Sequence, residues 1–211
     1  MEEFTATVTG MEEFSRNRYR IYLDEQFAFV LYKGELSSLG ITIGAVIDET
    51  TYNTICRSIL PLRAKKRCMN LLKARAYTEK ALRDKLREGG YPEESIEEAL
   101  LYVKSYGYVD DLEYAREYIR CNKDKRSRKG MEEKLRQKGI SARDLEKAFV
   151  DSYEAEEEEL LQHQLACSIL RKKKYDPASC DQKERQRIYA ALLRKGLSAE
   201  TIRMAMERFS P

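Results

Sequence analysis

A short helical pattern occurs three times in this chain, and that repetition restricts the fold more than any other feature. The copies run from Ala81 to Tyr91, from Gly130 to Ile140 and from Arg187 to Leu197. Each places an apolar residue (Leu82, Met131, Ile188) eight positions before a glycine (Gly90, Gly139, Gly196) and a leucine (Leu86, Leu135, Leu192) four before it. Tyr91, Ile140 and Leu197 follow directly, Ile96, Leu145 and Ile202 lie six after the glycine, and Ala99, Ala148 and Ala205 nine after. The glycines are 49 and then 57 residues apart. Such periods belong to stacked helical units, each too small to bury a core alone. They predict a long binding surface, not an enzyme pocket.

Local signals divide each copy into helices. Thr78 and Ser127 stand twelve before their glycines, where a hydroxyl accepts from an unpaired first-turn N–H. The glycine ends the helix by adopting the left-handed conformation that a Cβ disfavours. Ser141 and Ser198 cap the helices that follow, and Pro92 suits a first helical position. A first helix is predicted from Thr51 to Tyr77, with a break at Pro61. Asp110 can cap the next, with Glu113 reaching back. A Pro-marked loop, Tyr175 to Ser179, absorbs the longer third spacing.

The first 50 residues differ in texture. Tyr19–Leu23 and Phe27–Leu31 are aromatic and β-branched runs around Asp24-Glu25-Gln26, a hairpin signal. Phe4–Val8 and Ile41–Val46 are predicted as further short strands. The fold class is therefore mostly α: three tandem three-helix repeats in an elongated curved array, preceded by a small antiparallel β cap. The expected divisions are 1–50 for the cap, then 51–109, 110–153 and 154–211 for the repeats.

Charge and rare residues narrow the function. Charged residues form 36% of the chain, yet 42% are hydrophobic and fall at helical spacing, which indicates helices with one buried face. Residues 61–150 carry 23 Lys and Arg against 16 Asp and Glu, while residues 1–60 carry 5 against 9. The basic middle suits an anionic partner such as nucleic acid. His163 is the only histidine, so a His-based dyad or multi-histidine metal site cannot be assembled within one chain. Gly89-Gly90 lacks the strand and Lys-Ser/Thr helix of a phosphate loop. Asp110-Asp111 reads better as a cap than as a magnesium ligand pair. No catalytic residue, metal or cofactor is expected. Five dispersed cysteines without a CxxC, and no apolar run of membrane-spanning length, give a reduced cytoplasmic setting as the expectation.

Three basic clusters are the candidate contact residues. Arg63, Lys65, Lys66 and Arg67 begin the first repeat, and Arg171, Lys172, Lys173 and Lys174 belong to the third. Lys65 and Arg171 both lie 25 before their glycines, so these clusters share a register. Lys123, Lys125, Arg126, Arg128 and Lys129 crowd the joint between the first two helices of the second repeat. In a curved array, all three sets would line one concave face at a spacing suited to phosphates. The acidic run Glu154 to Glu159 starts a helix, where it meets the positive end of the dipole; a patch for a basic partner face is the alternative.

The run Gly107-Tyr108-Val109-Asp110-Asp111-Leu112-Glu113-Tyr114-Ala115, followed by Gly130 and Leu135-Arg136-Gln137-Lys138-Gly139-Ile140, resembles the RecX family of regulatory proteins. The resemblance covers roughly residues 60–211, with the central repeat the most specific and the outer two degenerate. The β-rich start looks like the extension of members from Gram-positive bacteria. Val109, where Leu or Ile is usual, and Gly89, where Lys is usual, are the departures. The resemblance implies a non-enzymatic modulator that binds in the groove of the RecA filament on DNA, limits filament growth and suppresses ATPase and strand exchange. It implies RecA and single- and double-stranded DNA as partners, read without sequence preference, no membrane, and a monomer.

Two other classes compete. An autonomous DNA-binding regulator would need a reading helix, but the Ser141–Val150 helix is short and mixed in charge through Arg143, Asp144, Glu146 and Lys147. A TPR-type scaffold would show a 34-residue period, which is missing here. An enzyme is disfavoured because no nucleophile–base pair or ligand cluster is visible.

Overall fold

The structure is a computed structural model that describes residues 4–154 and 156–209. The chain forms two compact units, divided between Asp110 and Asp111. The first opens with β1 (Thr5–Ser15), β2 (Arg18–Leu23), β3 (Gln26–Tyr32) and, later, β4 (Val46–Asp48). They form one antiparallel sheet in the order β3-β2-β1-β4. The β2–β3 turn is Asp24-Glu25, with φ of 47° and 69°. Two positive values match the twist of a tight hairpin. Two side-chain bonds hold them: Thr7 N–H donates to Asp24 Oδ1 (3.0 Å) and Glu25 N–H to Thr9 Oγ1 (2.7 Å). Ala6, Val8, Ile21, Leu23, Phe29 and Leu31 fill the buried face.

Two sequence expectations change here. β1 continues past Gly10 to Ser15, with a register shift between Val8 and Gly10, where the glycine lets the Tyr22 ring lie close. Ile41–Gly44 is not a strand. Lys33–Leu39 forms a helix, α1, whose Glu35 carboxylate accepts from Tyr32 N–H at 2.7 Å. Left-handed Gly40 ends it, and regular pairing resumes only at Val46, opposite Thr7. The turns at Gly40 and Gly44 consume the segment that alternation alone read as a strand.

The predicted break at Pro61 is instead a continuous helical rod. α2 (Glu49–Thr54) passes through a π-turn at Ile55–Ile59 into α3 (Leu60–Ala74). Leu60 N–H donates to the Ile55 carbonyl, five residues back. The widened turn makes room for the Pro61 ring, which in a regular helix presses on the carbonyl four residues earlier. Thr78 then caps α4 (Glu79–Glu88), its hydroxyl accepting from Ala81 N–H at 3.2 Å. Pro92 occupies the cap of α5 (Glu93–Ser105), one position before the helix begins. Ala64, Cys68, Leu82, Leu86, Ile96, Ala99, Leu100 and Val103 form the shared core of α3, α4 and α5. At Gly90 (φ 79°) any Cβ would lie 2.4 Å from Val30 Cγ2, so the α4–α5 turn presses directly on β3.

The second unit contains two more helix triplets: α6 (Asp111–Asn122), α7 (Arg128–Gln137) and α8 (Ala142–Ser152), then α9 (Glu157–Lys172), α10 (Gln182–Arg194) and α11 (Ala199–Glu207). Met131, Leu135, Leu145 and Ala148 are buried in the first core, and Ile188, Leu192, Ile202 and Ala205 in the second, at the same repeat positions. Each fully buried Leu or Ile contributes about 1.5–3 kcal/mol of transfer free energy. Ser127, Ser141 and Ser198 each accept from an N–H three residues on, as predicted. The last triplet departs from the pattern of a short second helix. Asp181 caps α10 at 2.7 Å from Glu184 N–H, three residues earlier than the repeat position, and lengthens that helix to 13 residues.

Candidate nucleic-acid interface

The thirteen candidate cations separate into side chains held by the protein and side chains that face solvent. Arg63 is held. From α3 it donates to the Val30 carbonyl and to Glu35, both at 3.0 Å, and its guanidinium lies 4.2 Å over the Tyr32 ring. It joins β3 and α1 to α3. Lys65 is also engaged, 2.6 Å from Glu98 on α5 and 5.5 Å over Tyr102. Lys66 and Arg67, one and two positions further, are exposed and make no ion pair among the described residues. Helical spacing explains the division: consecutive residues point about 100° apart, so one cluster in sequence spans more than one face.

The central cluster meets the acidic run. Glu157, Glu158 and Glu159 form the first turn of α9, where carboxylates favour the dipole. Ala155 of that run lies outside the described residues. Glu157 is 2.5 Å from Lys123 Nζ, and this bond holds its carboxyl below the ordinary glutamate value of 4.5. Glu158 is 2.7 Å from Arg128, whose Nε also donates to Glu132 at 3.0 Å and whose guanidinium lies 4.6 Å over Phe149. Burial pushes the neighbouring Tyr153 phenol up to about 12. The basic partner of the acidic run is thus, in part, this same chain. Lys125 lies 3.7 Å from Asp124 but is largely exposed, as are Arg126 and Lys129. A cleft of about 1340 Å³ follows α7 towards α9 and the α10–α11 turn. Six glutamates line it against Arg128, Lys129 and Arg136, so this side offers no net positive face to an anion.

The third cluster is different. Arg171, Lys172, Lys173 and Lys174 end α9, all exposed, with no carboxylate partner among the described residues. Cations there also favour the negative end of the helix dipole, by about 0.3–1 kcal/mol each. Lys174 takes φ 53° and Tyr175 N–H returns to the Leu170 carbonyl at 3.1 Å, closing the helix without a glycine. His163 is half-buried on the same helix, with Nδ1 3.8 Å from Cys167 Sγ. All five cysteines are unpaired. Among the described residues no group of three or more His, Cys, Asp or Glu is placed to hold a metal ion, and no helix is long and apolar enough to cross a membrane.

Two family descriptions match these helices. Residues 64–102 match the first three-helix domain of RecX and residues 161–206 the third. A regulatory protein RecX of Clostridium botulinum (strain Alaska E43 / Type E3) is 28% identical over 205 residues, 94% of this chain and 93% of its own length. The chain belongs to the RecX family. A second RecX relative, from Clostridium acetobutylicum, is 30% identical over 141 residues, covering 67% of this chain and 66% of that one. A crystal structure of regulatory protein RecX superposes with a TM-score of 0.64 at 26% identity, covering 96% of this chain and all of that one. That RecX coverage includes the β-rich start. The first- and third-domain matches enclose Lys66, Arg67 and Arg171–Lys174, whereas the exposed Arg126 and Lys129 lie between the two matched segments.

Sequence reasoning missed two cations. Arg18 of β2 and Lys85 of α4 share a small cavity with Arg67. Arg18, Arg67 and Lys85 are far apart in sequence and are brought together only by folding.

Proposed function

We propose that this RecX-family chain modulates RecA filaments on DNA, mainly as a negative regulator. One observation carries the reading: exposed cations without an acidic partner among the described residues stand in every three-helix domain, at Lys66 and Arg67, at Arg126 and Lys129, and at Arg171–Lys174. Helical domains contact successive RecA protomers along the filament groove, and Lys66, Arg67 and Arg171–Lys174 approach the DNA backbone without reading bases. The partner DNA is single- or double-stranded. The chain acts as a cytoplasmic monomer without a cofactor, divided into a cap at 1–50 and repeats at 51–109, 110–153 and 154–211. Binding suppresses ATPase and strand exchange by favouring one filament state, since a ligand shifts an equilibrium only through differential affinity.

The test is RecA ATPase on single-stranded DNA, with this protein added well below stoichiometry. A graded fall in rate is expected. An unchanged rate at every ratio overturns the reading.

A further inference from the structure

Arg67 opens onto a cavity of about 340 Å³ within the first unit, lined by groups from the sheet and from the helices. Arg18 begins β2, directly across from Tyr32 at the end of β3. Lys85 and Glu88 come from α4, and Tyr91 from the turn after it. Arg18 Nε donates to Ser15 Oγ at 2.8 Å, while its terminal nitrogens have no acceptor among the described residues. Arg67 has no ion pair there either. Lys85 is balanced only by Glu88, at 2.6 Å. Three cations from three elements therefore share one cavity with a single carboxylate. Like charges held together repel, and an anion relieves that repulsion.

The walls favour a phosphate. A guanidinium presents a planar set of donors that matches phosphate oxygens, and Arg18 and Arg67 supply two. Burial pushes the Tyr91 phenol above its ordinary value, so it stays an O–H donor at neutral pH. Arg63 fixes the floor, with its guanidinium 4.2 Å from the Tyr32 ring centre and 5.7 Å from that of Tyr91. That contact occupies a face of Tyr32 on which a base would otherwise stack. One ring face at the cavity is thus already taken while charge and donors are on offer, which suits a phosphate carried by a backbone better than a free nucleotide.

We infer that the cavity formed by Arg18, Arg67, Lys85 and Tyr91 binds a backbone phosphate of single-stranded nucleic acid, and that the β cap serves this contact by supplying Arg18. The inference rests on the reading that DNA is a partner, and it deepens it.

The experiment uses the full chain and a fluorescein-labelled oligothymidylate, with affinity measured at several salt concentrations. Each lost phosphate contact lowers the slope of log K against log salt by about 0.7 on a single strand. The double variant Arg18→Ala/Lys85→Ala is expected to weaken binding and flatten the slope by about 0.7, the share of one phosphate. Arg57→Ala/Lys73→Ala, which removes two exposed cations outside the cavity, serves as the comparison for net charge. Glu88→Gln removes the competing carboxylate and is expected to tighten binding, which a purely structural role for Lys85 would not produce. A cavity variant no weaker than Arg57→Ala/Lys73→Ala, or a Glu88→Gln protein that binds no more tightly, overturns the inference. Inorganic phosphate or ATP displacing the oligonucleotide at micromolar concentration would assign the cavity to free phosphate instead, and also overturns it. RecA ATPase suppression by the unaltered protein is read separately, so failure of the cavity and failure of the modulator reading give different results.

Discussion

Ser127 Oγ lies 2.5 Å from the carbonyl oxygen of Lys195 while accepting from Gly130 N–H at 3.2 Å. One hydroxyl thereby caps α7 and donates to the last turn of α10, tying the second triplet to the third. Its depth is fixed by Gly196, where a Cβ would stand 2.6 Å from that oxygen. Ser127→Ala removes the cap and leaves a carbonyl unpaired, so a loss of about 1–2 kcal/mol is expected in denaturant titrations. Gly196→Ala should be worse, because φ of 83° and the clash act together. A midpoint unchanged in both variants would show that the two triplets are not coupled through this contact.

Arg63 is expected to behave as a structural residue. Its guanidinium is held by a carbonyl, a carboxylate and two aromatic rings, and only 13% of the side chain is exposed. Arg63→Ala should destabilise the first unit by about 2 kcal/mol. Arg63→Lys should recover only part of this, since an ammonium cannot reproduce the planar fork. In protein still folded, the salt slope for DNA should fall far less than in the Lys66→Ala/Arg67→Ala variant. Equal slopes would return Arg63 to the set of contact residues.

Lys66→Glu/Arg67→Glu and a quadruple reversal at Arg171–Lys174 are expected to reduce salt-sensitive DNA binding while leaving the melting temperature within a few degrees, because these side chains hold nothing in the fold. Lys123→Glu should show the opposite balance. It places a negative charge against Glu157 and should lower the melting temperature with little effect on the salt slope. Anisotropy titrations beside circular dichroism melts distinguish the two groups.

Acid should weaken both units. Glu157, bonded to Lys123, Glu79, bonded to Lys104 and Arg83, and Glu93, bonded to Arg87 and Arg83, all have carboxyls held below 4.5. A depressed native value means that the unfolded chain binds the proton more readily. The stabilisation is complete above the ordinary glutamate range and fades as pH falls through the native values. The melting temperature should therefore drop steeply below about pH 4.5. Lys123→Ala should have a lower melting temperature at neutral pH and a shallower acid decline. Parallel curves for the two proteins would remove the ion pair from the account.

The triplets were readable because each depends on local chemistry: apolar residues three and four apart, a hydroxyl cap, a glycine that turns left. Leu86, Leu135 and Leu192 are fully buried at the position the repeat gave them. The family was readable for the same reason, from the Gly107–Ala115 run. The sheet was legible where residues alternate and misread at Ile41–Val46, where two glycine turns override alternation. α10 began early because an aspartate outside the repeat register supplied a better cap. The candidate surface was the least legible. A cluster of lysines in sequence carries no mark of which members will meet Glu35, Glu98 or Glu157 once distant helices pack. For the same reason Arg18 and Lys85 gave no signal beside Arg67.

The π-turn before Pro61 has a consequence for the length of the chain. Ile55, Leu60, Ala64 and Cys68 are all buried, yet they are separated by five, four and four positions. In an uninterrupted α-helix a step of five overshoots a full turn by about 140° and would swing Ile55 into water. The wide turn absorbs the surplus residue and keeps a single stripe in phase, with Ile55 and Leu60 serving the sheet and Ala64 and Cys68 the first triplet. Removing one residue between Ile55 and Leu60 would leave a step of four and keep the stripe in phase on a regular helix, but would take away the wide turn that makes room for the Pro61 ring.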